Sequence, residues 1–441
     1  MKQIKPTHFL LALFMLVSCI GYIWLRIQYS TRIHSPRSFG DTPDYFRVAS
    51  EPLFSSSFWI ADRAPVIPLF FKLLHNDPKL IFKTQLCFSI VAWIILALSV
   101  ALVLRNFALK FIAFIIVLGF SLTQNIIIWD PLILSDSVSL SLLALFLAAG
   151  IWLITNWNGF TILVFSLSGS FLVLARDSYA YLLLMAGLAL LVLIFVMPYR
   201  SRTALVSGIL LLLFLVSNIL ATAGNRWYVP FLMTTGLRIL PNSEYLSYFR
   251  EQGMPISGAL MERSGKPLHT DDLAFLNDPR LDEFRQWAKE NGRGLYIKFL
   301  WHFRADTLQE PLKHLEVIFN PNIYYYAATG FRPMIKNQRL NELLYPTRFG
   351  ILTVLIANML AAALLFPALK YRQWLWILPL MLILFSYPQA VLIWNADAND
   401  IARHSLYHNI ELRLGLWMLI FFVFDFLSLN FKLLIPERIN R

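Results

Sequence analysis

Two carboxylates stand three residues apart in Gly40-Asp41-Thr42-Pro43-Asp44-Tyr45, just beyond the first long apolar run of the chain. If Asp41 caps a helix that begins at Thr42, both carboxylates sit at one helix start, where the helix dipole lowers a carboxylate pKa. An Asp kept ionised in this way can accept a proton or orient a hydroxyl. A structural reading stands beside the chemical one: Asp41 as the cap, Pro43 in the first turn and Asp44 complementing the dipole.

Farther along, Asp62-Arg63-Ala64-Pro65 sets a guanidinium where it can grip a phosphate with paired donors, or else snorkel or form an ion pair. Trp129-Asp130-Pro131-Leu132-Ile133-Leu134-Ser135-Asp136-Ser137 brings Asp136 to the mouth of an apolar run, where an ionisable group is costly unless it faces a wet cavity. Helix capping by Ser135 or Asp136 is the alternative. In Ala175-Arg176-Asp177-Ser178 the arginine can bind phosphate or pair with its neighbour Asp177. Finally, Trp394-Asn395-Ala396-Asp397-Ala398-Asn399-Asp400-Ile401-Ala402-Arg403-His404 is a short loop dense in polar groups, of the kind that belongs to a site. A lone His404 beside Arg403 reads as a hydrogen-bonding residue rather than a metal ligand, so no metal site is expected, and a divalent ion has no support in the His spacing.

Other chemistries lack their residues. The chain has no phosphate-cradling glycine loop, no nucleophile elbow and no paired cysteines, which argues against ATP-driven and nicotinamide-dependent reactions. Its two cysteines, Cys19 and Cys87, both lie in apolar stretches and suggest neither a disulfide framework nor a cysteine metal site.

The elements that carry these residues are apolar helices. Hydrophobic residues make up 58% of the 441, mean hydropathy is +0.60, and the apolar residues come in runs near the roughly 20 that span a bilayer as a helix. The expectation is an all-α integral membrane protein of about ten transmembrane helices, at 9–28, 80–104, 111–128, 138–154, 160–175, 179–197, 203–221, 349–369, 374–393 and 410–429. Leu16-Val17-Ser18-Cys19 resembles a lipoprotein cleavage box, but the apolar run continues through Ile20, Tyr22, Ile23, Trp24 and Leu25, which suits an uncleaved first helix. The net charge of +12 comes from short basic clusters at the ends of apolar runs, which favours membrane orientation over nucleic-acid binding.

Those clusters set the expected sidedness. Lys2 and Lys5, Arg105 and Lys110, Arg200 and Arg202, Lys370 and Arg372, and Lys432, Arg438 and Arg441 fall on one side if every span crosses once. That side is expected to be the cytoplasm of a multi-pass cell-membrane protein, with both termini inside. The expected domains are a transmembrane module over 1–221 whose first outer loop is 29–79, a polar extracytoplasmic domain over 222–348 between spans seven and eight, and a transmembrane module over 349–441. Short helices are expected at 45–51 and 66–74 of the first loop, and at 271–276, 282–290 and 295–302 of the polar domain. Pro, Gly and Asn are read there as turns that rule out one long helix.

This arrangement resembles the GT-C glycosyltransferases, protein mannosyltransferase-like and aminoarabinose-transferase-like membrane enzymes that take sugars from polyprenyl-phosphate carriers. Gly40-Asp41-Thr42-Pro43-Asp44-Tyr45 looks like the family's acidic motif in the first outer loop, and Leu134-Ser135-Asp136-Ser137-Val138-Ser139-Leu140 like its second acidic segment. Asp400-Ile401-Ala402-Arg403-His404, with Glu411-Leu412-Arg413-Leu414, is similar to the charged entry of the final helix in bacterial members. Many members carry their large soluble domain after the last helix; here the polar segment lies between spans seven and eight.

The resemblance implies an inverting transferase with Asp41 or Asp44 as base, Asp136 as the second acidic motif, and Arg63, Arg176, Arg403 and His404 on the lipid phosphate. It also implies a glycan, lipid or protein acceptor on the outer face. A membrane transporter or lipid flippase, or a non-enzymatic assembly subunit, is the alternative. Transporters bury their ionisable groups near the midplane, whereas here the charges gather at helix ends.

Overall fold

A computed structural model describes residues 6–31, 36–197, 199–268, 273–321, 323, 326, 333–365 and 373–434. Lys2, Lys5, Lys370, Arg372, Arg438 and Arg441, which entered the charge argument, lie outside the described residues.

Among the described residues the chain is helical, with one isolated bridge between Arg37 and Leu132 in place of any strand. Helix α1 covers Pro6–Thr31 and runs unbroken through Cys19. The first loop holds α2 (Thr42–Ser50) and α3 (Val66–Leu73), which pack on each other. Then follow α4 (Pro78–Val103), α5 (Phe107–Ser121), α6 (Asp136–Thr155), α7 (Gly159–Ala175), α8 (Ser178–Leu193) and α9 (Arg200–Ala223). Local chemistry starts several of them. Asp77 accepts from the Lys79 amide ahead of Pro78, Asn106 accepts from Ala108 and Leu109, and Asn158 and Thr161 form a reciprocal capping box.

The polar segment contains α10 (Asp282–His302), and the chain ends with α11 (Phe349–Leu365), α12 (Ile377–Leu384), α13 (Ser386–Ala396) and α14 (Leu406–Leu434). In the bundle α6 packs between α4 and α7, α8 against α9, and α12 against α14.

This is an all-α membrane protein. Among the described residues six helical stretches are long and apolar enough to cross a bilayer: Phe9–Ser30, Pro78–Val103, Asp136–Thr155, Arg200–Ala223, Gln338–Leu360 and Trp374–Ala396. Shorter apolar helices cover Phe107–Ser121, Gly159–Ala175 and Ser178–Leu193. Large apolar side chains crowd the outside of the bundle, among them Phe9, Leu13, Val17 and Trp24 on α1 and Leu205, Leu212 and Ile219 on α9. A surface of that kind is stable against hydrocarbon and costly against water.

Two details depart from the sequence expectation. The span expected over 111–128 stops at Ser121, after which a separate turn runs over Gln124–Ile127. Ser121 and Thr123 hydrogen-bond back to the Leu118 and Phe120 carbonyls, and Arg26 takes the Ser121 carbonyl at 3.1 Å, so polar groups replace the next helical bonds. In the polar segment, the helices expected at 282–290 and 295–302 are one, α10, which runs straight through Gly292. A Cβ at Gly292 would meet the Phe231 ring at 2.7 Å, so the glycine admits a close neighbour rather than breaking the helix.

Residues 231–299 bury an aromatic-rich core of their own, whereas Ile318, Phe319, Tyr326 and Tyr345 belong to the core of the bundle.

Candidate functional site

A rigid frame sets the mouth of α6. Arg26, 1% exposed inside α1, donates to Asp130 at 2.7 Å, Ser89 at 2.8 Å and the Tyr22 hydroxyl at 3.1 Å. Asp130 in turn accepts from Ser137 at 2.8 Å, and Gln85 donates to the Asp130 and Leu132 carbonyls. The first loop is tied to the same turn. The Arg37 amide donates to the Pro131 carbonyl, the Ile133 amide to the Arg37 carbonyl, and the Thr42 hydroxyl to the Ile133 carbonyl. Thr42 therefore fixes the start of α2, and with it Asp41, against the turn that presents Asp136.

On this frame six of the charged residues singled out above form one alternating chain. Asp44 pairs with Arg63 at 2.6 Å, and Arg63 with Asp41 at 3.1 Å. Arg403 lies 2.6 Å from the second oxygen of Asp41 and 2.9 Å from Asp136. Arg176 reaches Asp136 at 2.9 Å. His404 extends the chain, its Nδ1 3.3 Å from Arg176 and its Nε2 3.3 Å from Asp397. These side chains come from four segments far apart in sequence, and they meet at one end of the bundle.

The geometry shows which local contacts these residues make. Asp41 occupies the position before α2 but makes no side-chain capping bond; both of its oxygens face arginines. Neither Ser135 nor Asp136 caps α6 through a side chain. Arg176 pairs with Asp136 and not with its neighbour Asp177, which takes Arg226 at 2.8 Å. Arg63 is ion-paired and also lies over the Tyr45 ring, 5.5 Å from its centre.

Exposure is graded along the chain. The side chains of Asp44, Asp41 and Arg63 are 40%, 29% and 27% exposed, while Asp136 is fully buried. Burial pushes the Asp41 carboxyl upward, but the attraction of Arg403 and Arg63 outweighs it and holds Asp41 well below the usual carboxylate range. Burial likewise opposes the charge on Arg63, and Asp41 with Asp44 more than offsets it. Asp41 is therefore ionised and tightly held in the free protein, in which state it is a weak base. Anything that draws the two guanidiniums away strengthens it.

Several members of the network were not singled out from the sequence. Tyr407 donates to Asp136 at 2.6 Å and lies under Arg176, whose guanidinium is 4.2 Å from its ring centre. The Tyr326 hydroxyl hydrogen-bonds Asp400, a residue with a left-handed backbone (φ 52°). Arg26 carried a usable signal, an arginine inside an apolar run, where an ionisable group marks a partner nearby. The tyrosines carried none, because aromatic residues are common at membrane interfaces for other reasons.

Among the described residues no group of three or more His, Cys, Asp or Glu is arranged to hold a metal ion. No protein-family model matches the chain, and no curated protein matches it in sequence.

Proposed function

We propose that this chain is an inverting glycosyltransferase of the GT-C type, which moves a sugar from a polyprenyl-phosphate carrier to an acceptor at the outer face of the cell membrane. The observation that carries this reading is the Asp44–Arg63–Asp41–Arg403–Asp136–Arg176 chain, open at its Asp44 end and closed at Asp136. In the same reading the chain crosses the membrane ten times, both termini are cytoplasmic, and the site faces outward. Nucleotide sugars are cytoplasmic, so transfer on that face requires a lipid-linked donor.

The donor phosphate competes with Asp41 for Arg63 and Arg403. As the guanidiniums turn to the phosphate oxygens, Asp41 loses the partners that suppress its basicity, so donor binding itself prepares the base. The acceptor oxygen attacks the anomeric carbon while its proton passes to Asp41. The bond from that carbon to the phosphate oxygen breaks, its electron pair leaves on polyprenyl phosphate, and the arginines neutralise the charge that develops there. Attack opposite the leaving group inverts the anomeric centre. Asp44 retains Arg63 beside the phosphate.

Asp41→Asn is expected to leave the protein folded and inserted and to lower kcat about 10²–10⁴-fold, the usual contribution of a general base. Asp44→Asn is expected to raise KM for the donor more than it lowers kcat. Full activity in both single variants and in the double variant would overturn the assignment.

One observation favours a transporter instead. Glu411 is buried in α14 with one oxygen accepting from Gln389 at 2.7 Å and the other without a hydrogen bond among the described residues. Intramembrane carboxyls of this kind serve proton-coupled transport. Glu411 lies five residues into α14, however, or about 7.5 Å along its axis, short of the midplane of a core about 30 Å thick. Loss of sugar transfer in Asp41→Asn with unchanged transfer in Glu411→Gln separates the two readings in favour of the enzyme.

A further inference from the structure

A cavity of about 270 Å³ opens where the segment after α9 meets the end of α13, apart from the charged chain. Its walls combine aromatic faces with a small set of polar groups. Tyr245, Tyr296 and Trp394 supply the rings, and the Arg238 guanidinium lies over Trp394, 4.0 Å from its ring centre. The Tyr245 hydroxyl donates to Oδ2 of Asp306 at 3.1 Å, and the Tyr296 hydroxyl to the Asn395 carbonyl at 2.5 Å. The Asn395 side-chain amide donates to the Thr307 and Val391 carbonyls at 3.0 and 2.8 Å, which fixes its orientation and leaves its Oδ1 as an acceptor.

These groups select a ligand class. A purely apolar ligand would strip water from Asp306 and Arg238 without replacing it. An anion would meet two carboxylates that line the cavity, Asp306 and Glu310, and a cation would meet Arg238. A neutral ring with a C–H face and a rim of hydroxyls satisfies all of them: the face lies on an aromatic ring, the hydroxyls donate to Asp306 and Asn395, and a hydroxyl oxygen accepts from Arg238. The volume sits just below the roughly 300–1,000 Å³ of small-molecule pockets, which suits a single ring.

A short stretch of sequence separates the cavity wall from the charged chain. Asn395 stands two residues before Asp397, which pairs with His404 at 3.3 Å, and His404 contacts Arg176.

We propose that this cavity binds a neutral hexopyranosyl unit and, resting on the transferase reading above, that this unit belongs to the sugar acceptor. The test uses the full-length protein in detergent, with saturation-transfer NMR to methyl glucopyranoside, galactopyranoside and mannopyranoside. The wild type is expected to transfer saturation to the ring protons of at least one glycoside. Asp306→Asn and Trp394→Leu, one removing a charge and the other a ring, are each expected to weaken that binding about tenfold or more.

Absence of saturation transfer to all three glycosides overturns the site, and so does unchanged affinity in both variants. Binding is read without donor, so the two readings fail separately. Glycoside binding that depends on Asp306 and Trp394, in a protein that transfers no sugar from polyprenyl phosphate, supports the cavity and overturns the transferase reading. Transfer without glycoside binding does the reverse.

Discussion

Asp41 and Asp136 share Arg403, yet their surroundings give them different work. Asp136 is fully buried between two guanidiniums and the Tyr407 hydroxyl, with no route to a substrate, so its part is to hold Arg403 and Arg176 in place. Breaking a buried pair by neutralising one partner costs about 3–5 kcal/mol, because the remaining charge is left without compensation. Asp136→Asn is therefore expected to lower thermal stability in detergent by that order, and Asp41→Asn, at a partly open position, by less than half as much. Equal melting of Asp136→Asn and wild type would contradict the anchoring role. Asp41, Asp44, Arg63, Asp136, Arg176 and Arg403 were legible in the sequence because charges at helix mouths stand out against apolar runs. Their partners were not, because pairing such as Arg403 with Asp136 joins residues that only folding brings together.

At the scale of elements, the close approach of α9 to the first loop sets where Arg63 can stand. A Cβ on Gly224, at the end of α9, would collide with the Ala61 carbonyl, which also accepts from Arg226 Nε at 2.9 Å. Gly224→Ala is expected to displace residues 61–63 and raise the donor KM several-fold while the bundle stays folded; an unchanged KM would show that this contact does not position Arg63. Helix positions were read best from the long hydrophobic runs: among the described residues six expected spans overlap helices long and apolar enough to cross a bilayer and three overlap shorter apolar helices, while 410–429 lies within α14, which belongs to neither group. Helix ends and breaks were read less well. The stop at Ser121 depends on Arg26, ninety-five residues away, and the continuity of α10 depends on the Phe231 ring against Gly292. Neither is a local property of the sequence.

The whole molecule has two chemically distinct ends. At one end the charged chain gathers residues from four segments. At the other, Asp425 accepts from the Arg105 and Asn106 amides, and Arg202 reaches the Trp157 carbonyl. The proposed sidedness puts the first end outside. In a background with Cys19 and Cys87 replaced by Ser, single cysteines at the exposed positions Ser38 and Ser56 are expected to react with an impermeant thiol reagent in intact cells, and one at Ser201 is not. Labelling at Ser201 alone would invert the topology. The central claim, that the charged chain transfers a sugar from a lipid phosphate, is tested most directly by following the anomeric configuration of the product. Membranes containing the protein and a labelled polyprenyl-phosphate hexose are predicted to yield a product of inverted configuration together with free polyprenyl phosphate, both lost in the Asp41→Asn/Asp44→Asn double variant. A retained configuration, or undiminished transfer by the double variant, would contradict it.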